Sequence, residues 1–224
     1  MMTNIYINGA SGKMGTNLKE RSACNANINV CDDLNHDSLD VIIDFSHPDS
    51  ILKLLESLPG NNEALIIGTT GFKSENIQFI KGISKDKRIL LAPNLSIGVA
   101  ILKKNIEKFI ETNDVLLDCY IEEIHHTQKI DSPSGTAIEL KRIIESCNSR
   151  KLISKIEINS QRTGEIFGIH KVTFSGNNQK IEFFHEAQSR NIFSDGALKA
   201  AIWLKDQKAG LYSFEDYLKL QNNL

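Results

Sequence analysis

Residues 122–137 read EEIHHTQKIDSPSGTA, and several side chains in that run could do chemistry. His125 titrates near neutrality when unperturbed, which suits a general acid. Lys129 is a compact ammonium able to hold a carboxylate. Ser134, Gly135 and Thr136 mark a helix start, whose unpaired N–H groups form an anion site. An acid, a cation and a helix N-terminus together suit an anionic carboxylate substrate that has to be protonated. The plainer reading is two strand-end histidines, one in the core and one in solvent, beside an ordinary serine cap. Either way the run is a loop between a strand and a helix, where function concentrates.

A second run, GASGKMG at 9–15, follows a short apolar strand and opens a helix. Glycines there let the backbone approach a pyrophosphate, and the helix N-terminus supplies N–H groups and the positive dipole end. The spacing is G-x-x-G-x-x-G, so a tight turn without a ligand is the competing reading. An acid about 20 positions on would grip an adenosine ribose. Asp32 and Asp33 fall there, with Asn29 in competition, and solvated turn acids are the alternative. GTTGF at 68–72 and APNLSIG at 92–98 end two further strands. Ligands of parallel sheets bind outside those strand ends, so backbone and hydroxyl groups there can face a nicotinamide ring.

The elements around these runs predict two domains. Up to residue 96, short apolar strands alternate with helical patterns, as a parallel sheet covered on both faces requires. A helix is expected from Lys13 to Ala23, and strands at 27–31 and 39–46. Only about nine residues separate those strands, too few for a full crossover helix. A helix opens at Pro48 and ends before Pro59 and Gly60. Ser74 caps the next one. Beyond residue 96 come two helices and several strand-like runs with little helix between them. The tail is helical again and can return to the first domain. The expected class is α/β: an N-terminal Rossmann-like parallel-sheet domain, 1–96 plus 192–224, and a C-terminal α+β domain with an open mixed sheet, 97–191.

The 224 residues carry a formal net charge of −2, with no basic run, so nucleic acid is not an expected partner. No apolar run approaches the roughly 18–20 residues of a membrane span. The sequence enters a strand almost at once, so no leader and a cytoplasmic location are expected. Cys24, Cys31, Cys119 and Cys147 show no metal spacing, which predicts reduced thiols and no metal site.

Taken in order, GASGKMG, VIIDFS, GTTGF, APNLSIG, EIHHTQKIDSPSGTA and GALKAAIWL resemble the 4-hydroxy-tetrahydrodipicolinate reductases, also called dihydrodipicolinate reductases. The resemblance covers nearly the whole chain, and the E-x-H-H-x-x-K-x-D-x-P-S-G-T-A string is highly specific. It implies that His125 is the proton donor and that Lys129 is catalytic or anchors substrate. It implies that His126, Ser134, Gly135 and Thr136 meet a small dicarboxylate substrate. Gly9, Ala10, Ser11, Gly12, Lys13 and Met14 match the dinucleotide loop. Gly68, Thr69 and Thr70, with Ala92, Pro93, Asn94 and Leu95, match the segments beside the nicotinamide. The cofactor implied is NADH, NADPH or both, and the assembly a homotetramer built through the second domain's sheet.

The segment before VIIDFS is shorter than in many relatives, and it holds no arginine to read a 2′-phosphate. Lys13 could still meet one, and use of both cofactors is expected. Arg162, Gly164, Gly168, His170 and the run HEAQSR are read mainly as sheet packing, with a subunit contact possible. Two other readings compete. Another two-domain oxidoreductase, such as an amino-acid dehydrogenase, would not need the full His-His-Lys-Ser-Gly-Thr string. A nucleotide-sensing protein could keep the glycine loop and lose its proton donor.

Overall fold

Strands covered on both faces are apolar at every position, and two runs of this chain meet that condition fully. β3 (Val41–Asp44) and β4 (Ala64–Ile67) are buried at all four of their residues. The computed structural model describes residues 2–58 and 62–221. They divide into two compact units, Met1–Ser96 with Arg190–Leu224, and Ile97–Ser189. These limits lie two residues before the expected return point at 192.

In the first unit, β1 (Thr3–Asn8), β2 (Ile28–Val30), β5 (Arg88–Leu91) and β10 (Gly210–Tyr212) join β3 and β4 in one parallel sheet, ordered β10-β5-β4-β3-β1-β2. β1 pairs β2 on one side and β3 on the other. Residues 31–40 therefore pass from one side of β1 to the other without a helix. α2 (Pro48–Ser57) and α3 (Ser74–Ile83) supply Ile51, Leu55 and Ile80 to a cluster with Ile42, Leu65, Ile67 and Ile89. Pro48 opens α2, where its missing N–H costs nothing. Pro59 and Gly60, the expected stop, lie outside the described residues.

α1 (Lys13–Ala23) and α6 (Asn191–Leu204) also pack in this unit. They are tied by Arg21 to Asp195 at 2.7 Å and Asn17 to Asn191 at 2.8 Å.

Two local expectations are corrected. Ser74 does not cap α3 but is its first residue. The cap is Lys73, whose N–H donates to Asn76 Oδ1 at 2.9 Å. The tail is not wholly helical either: α6 is followed by β10, then α7 (Phe214–Gln221). Pairing with β5, not propensity, makes a strand of the three residues Gly-Leu-Tyr.

The second unit is a mixed sheet ordered β7-β6-β8-β9, formed by β6 (Leu117–His125), β7 (Ile153–Arg162), β8 (Ile169–Gly176) and β9 (Gln179–Glu186). Only β6 and β7 run parallel. α4 (Ile97–Thr112) and α5 (Gly135–Cys147) cover one face, where Ile106, Leu140 and Ile144 pack with Cys119, Ile121, Val172 and Phe174. On the other face Lys171 bridges Glu122 and Glu182 at 3.7 and 3.0 Å, while Tyr120 and Phe184 are exposed.

Candidate active site

Alternation along β6 turns Glu123 and His125 to the covered side, at 0% and 7% exposure. Burying a carboxylate is unfavourable unless donors surround it. Glu123 has them: Arg162 Nη2 at 2.9 Å and the Ser134 N–H at 3.1 Å meet Oε1, and His125 Nδ1 meets Oε2. Burial opposes ionisation of Glu123. Hydrogen bonds from Arg162 and Ser160, with the charge of His125, outweigh it and hold the carboxyl at about 2.

Each donor is delivered by a different element. Arg162 ends β7 opposite His125 in the β6/β7 register, and its guanidinium also donates to the Asp131 carbonyl. Ser134 caps α5, its Oγ accepting from Ala137 N–H at 3.2 Å. The Ser134 N–H is thus spent on Glu123.

His125 is held below its ordinary value, first by burial, with Lys129 and Arg162 pushing the same way and Glu123 opposing them. Its ring stands edge-on to His170, with centroids 5.1 Å apart. His170 is 3% exposed, and its Nε2 lies 3.4 Å from Ser134 Oγ. Burial and its histidine neighbours push His170 down to about 3, so it is neutral at pH 7. Gly168, at φ +155°, faces the other nitrogen of His125: a Cβ there would lie 3.1 Å from Nε2. Lys129 Nζ reaches Asp131 Oδ1 at 2.7 Å, so any anion drawn to this ammonium would have to compete with or join that carboxylate. Half-buried His126 donates its backbone N–H to Ile166 O at 2.8 Å.

The structure therefore brings His125, Lys129 and Ser134 into one cluster and adds Glu123, Arg162, Gly168 and His170 to it. The last three stand against the acid pair, which goes beyond the sheet packing expected of them. Glu123 opens the E-x-H-H string, and its place two residues before a histidine pair on a strand, on the same face as His125, is the signal that could have found it.

In the first unit the glycine turn has the shape its spacing suggests. Gly9 has φ +84°, and a Cβ on it would meet Phe45 O at 2.6 Å. A Cβ on Gly15 would lie 2.2 Å from Gly9 O. Gly12 is the N-cap of α1, which has no acidic residue in its first turn. A cradle shut to side chains, at an unopposed helix N-terminus, fits a dinucleotide pyrophosphate.

Gly68, Thr69 and Thr70 follow β4, and a Cβ on Gly68 would strike the Phe45 ring at 2.4 Å. Ala92 and Leu95 are buried, Pro93 is exposed, and Asn94 Oδ1 accepts from Ser96 N–H at 2.8 Å. Asp44, fully buried at the end of β3, accepts from Asn8 Nδ2 at 2.8 Å and from Ser46 Oγ. Burial pushes its carboxyl up, and hydrogen bonds from Ser46, Thr69 and Asn8 draw it partly back.

After β2 the three ribose candidates separate. Asp33 Oδ1 accepts from Asn35 N–H at 2.9 Å, and Asn29 Nδ2 donates to Asn4 at 2.9 Å. Asp32 is exposed. Among the described residues no group of three His, Cys, Asp or Glu could hold a metal ion.

A Rossmann-like unit with a glycine cradle, joined in one chain to a mixed-sheet unit bearing a carboxylate–histidine pair, defines a two-unit oxidoreductase. Comparison with known proteins narrows this. Residues 22–95 match the family model "Dihydrodipicolinate reductase, N-terminus" and 98–218 the model "Dihydrodipicolinate reductase, C-terminus". The chain belongs to the dihydrodipicolinate reductase family.

It is 36% identical to the 4-hydroxy-tetrahydrodipicolinate reductase of Rickettsia bellii, over 98% of this chain and 96% of that one. The reductase of that name from Buchnera aphidicola is 35% identical, over 97% of each. Among solved structures, a dipicolinate-bound dihydrodipicolinate reductase from Paenisporosarcina superposes with a TM-score of 0.73 at 23% identity, over 95% of this chain and 98% of that one. A myo-inositol dehydrogenase from Corynebacterium glutamicum reaches 0.66 at 12% identity, over 99% of this chain and 95% of that one. That likeness is of fold alone.

Proposed function

We propose that this chain is a 4-hydroxy-tetrahydrodipicolinate reductase, forming tetrahydrodipicolinate with loss of water in the route to diaminopimelate and lysine. The observation that carries the reading is the Glu123–His125 pair at the start of α5, on the string that resembles the family. NADH or NADPH, when bound, would supply the hydride that ring carbon 4 of the conjugated imine accepts. His125 gives the proton that carbon 3 of the resulting enamine needs. Lys129, His126, Gly135 and Thr136 hold the dicarboxylate, and fixed donors of this kind stabilise charge as it redistributes.

The Gly9–Met14 turn would hold the pyrophosphate, and the 68–70 and 92–95 segments would lie beside the nicotinamide. Dinucleotide oxidation with substrate generated in situ by a dihydrodipicolinate synthase tests the reading. Turnover with either cofactor is expected. Bound dinucleotide without oxidation would favour the nucleotide-sensing alternative.

With Asp33 and Asn29 engaged, Asp32 is the ribose reader. Hydrogen bonds to a charged group contribute about 1.5–3 kcal/mol. Asp32→Ala is accordingly expected to raise KM for NADH at least about 10-fold, and to leave KM for NADPH within about threefold. Equal changes for both would remove Asp32 from that role. In the wild type both cofactors serve, with KM values within about 100-fold of each other.

The outer face of the second sheet, with exposed Tyr120 and Phe184 among ion pairs, supports assembly as a homotetramer. Light scattering is expected to return four times the 25.1 kDa chain mass; a monomer would refute it. The four cysteines are free thiols, which fits a reducing cytoplasm. Among the described residues no helix is long and apolar enough to cross a membrane.

A further inference from the structure

We propose that Glu123, itself held by Arg162, is the positioning residue of the proton donor: it accepts the Nδ1–H of His125 and so directs Nε2 to the substrate. The inference rests on the reductase reading for its kinetic consequence and on geometry for its substance. The Glu123 side chain is wholly buried, and its two oxygens face three donors from three elements. An ionised carboxylate can only accept hydrogen bonds. With the Glu123 carboxyl at about 2, it is ionised throughout the working range. The His125 nitrogen against it must then carry a hydrogen, so neutral His125 is the Nδ1–H tautomer.

Protonation adds the second hydrogen at Nε2, the nitrogen that faces Gly168, where any Cβ would crowd it at 3.1 Å. The transfer balances simply. The carbon 3 electron pair of the enamine takes the Nε2 proton, the N–H electron pair returns to Nε2, and both Nδ1–H and Glu123 are unchanged.

The surroundings make this carboxylate necessary. Lys129 on the following loop and Arg162 on β7 are cations facing His125, and His170 on β8 stands edge-on to its ring. His185 on β9 lies beyond, opposite His170 in the register. Burial and both cations disfavour the imidazolium, and Glu123 is the group that favours it. Arg162 and the Ser134 N–H saturate Oε1, which leaves Oε2 for the imidazole.

That saturation makes Glu123→Gln informative. The amide must turn its oxygen to the two donors that now meet Oε1, which places its NH₂ against Nδ1. A donor there forces Nδ1 to accept, so the neutral tautomer switches to Nε2–H and the imidazolium meets a clash of two donors. A histidine locked in the wrong tautomer loses activity by powers of ten.

The experiment uses ¹⁵N-histidine-labelled full-length protein, with His125→Asn to assign the His125 signals among six histidines. Nitrogen chemical shifts and the pH profile of turnover are read on wild type and Glu123→Gln. The wild type is expected to show neutral His125 protonated at Nδ1. In Glu123→Gln, kcat is expected to fall about 10²–10³-fold with KM within about threefold. Its neutral tautomer switches, and its titration moves to lower pH.

A wild-type His125 protonated at Nε2 overturns the proposal, and that arm needs no variant to fold. Loss of kcat with an unmoved tautomer and titration also overturns it, since it would mean structural damage alone. So does a variant within about threefold of wild type. Failure of the reductase reading is separate: wild type would then show no turnover, whatever its tautomer.

Discussion

His125→Ala is expected to lower kcat by about 10²–10⁴-fold, the usual contribution of a positioned general acid. Dinucleotide affinity should stay within about threefold, because the glycine cradle belongs to the other unit. The pH dependence carries the sign. The donor must be protonated, so activity falls as pH rises through the His125 titration. Free His125 lies below its ordinary 6.5, since burial, Lys129 and Arg162 outweigh Glu123. The profile of kcat/KM reports the free enzyme, and its alkaline fall is therefore expected below pH 6.5.

A bound dicarboxylate favours the imidazolium, so the fall in kcat should come at higher pH than that in kcat/KM. Steady-state rates from pH 5 to 9 on wild type and variant decide this, as does the loss of that fall in His125→Ala. A variant turning over within about threefold of wild type would remove His125 from the role.

The second large effect is expected at the glycine cradle. In Gly15→Ala the new Cβ would sit 2.2 Å from Gly9 O and 2.6 Å from Ala10 Cα. Both are backbone atoms, so no side chain can turn aside, and the turn itself has to move. Overpacking of this kind costs about 1–3 kcal/mol where the chain can adjust. Here the adjustment falls on the backbone proposed to line a pyrophosphate. The Kd for NADH, followed by nicotinamide fluorescence, is expected to rise at least about 100-fold, roughly 2.7 kcal/mol. Circular dichroism of the variant reports whether its fold survives. An unchanged Kd would mean that the turn does not hold the dinucleotide.

Much of this molecule is determined locally. Strands β3 and β4 are apolar throughout because both faces are covered, and a run of such residues says so by itself. The turn at Gly9–Gly15 is legible because only glycine tolerates φ +84° pressed against Phe45 O. The helix starts at Lys13 and Pro48 follow from residue types within one turn of each start. His125, Lys129 and Ser134 fall within ten positions, so their clustering too is written in the chain.

What the sequence leaves open is whatever depends on register between distant strands. Arg162 lies 39 residues from Glu123 and reaches it because β6 and β7 pair in parallel with His125 opposite Arg162. No spacing rule carries that distance, since a shift of one residue would turn every side chain to the other face. His170 reaches the cluster by the same route, opposite Glu123 in the β6/β8 ladder, and Gly168 directly precedes β8.

β10 is a strand only because the edge of β5 receives it. Asp32 and Asp33 are equivalent until the loop folds and Asn35 engages one of them. The chain by itself thus determines which groups can do chemistry. Tertiary pairing decides what fixes the Glu123 carboxylate beside His125, because Arg162 and the Ser134 N–H reach it from β7 and the start of α5 rather than along β6.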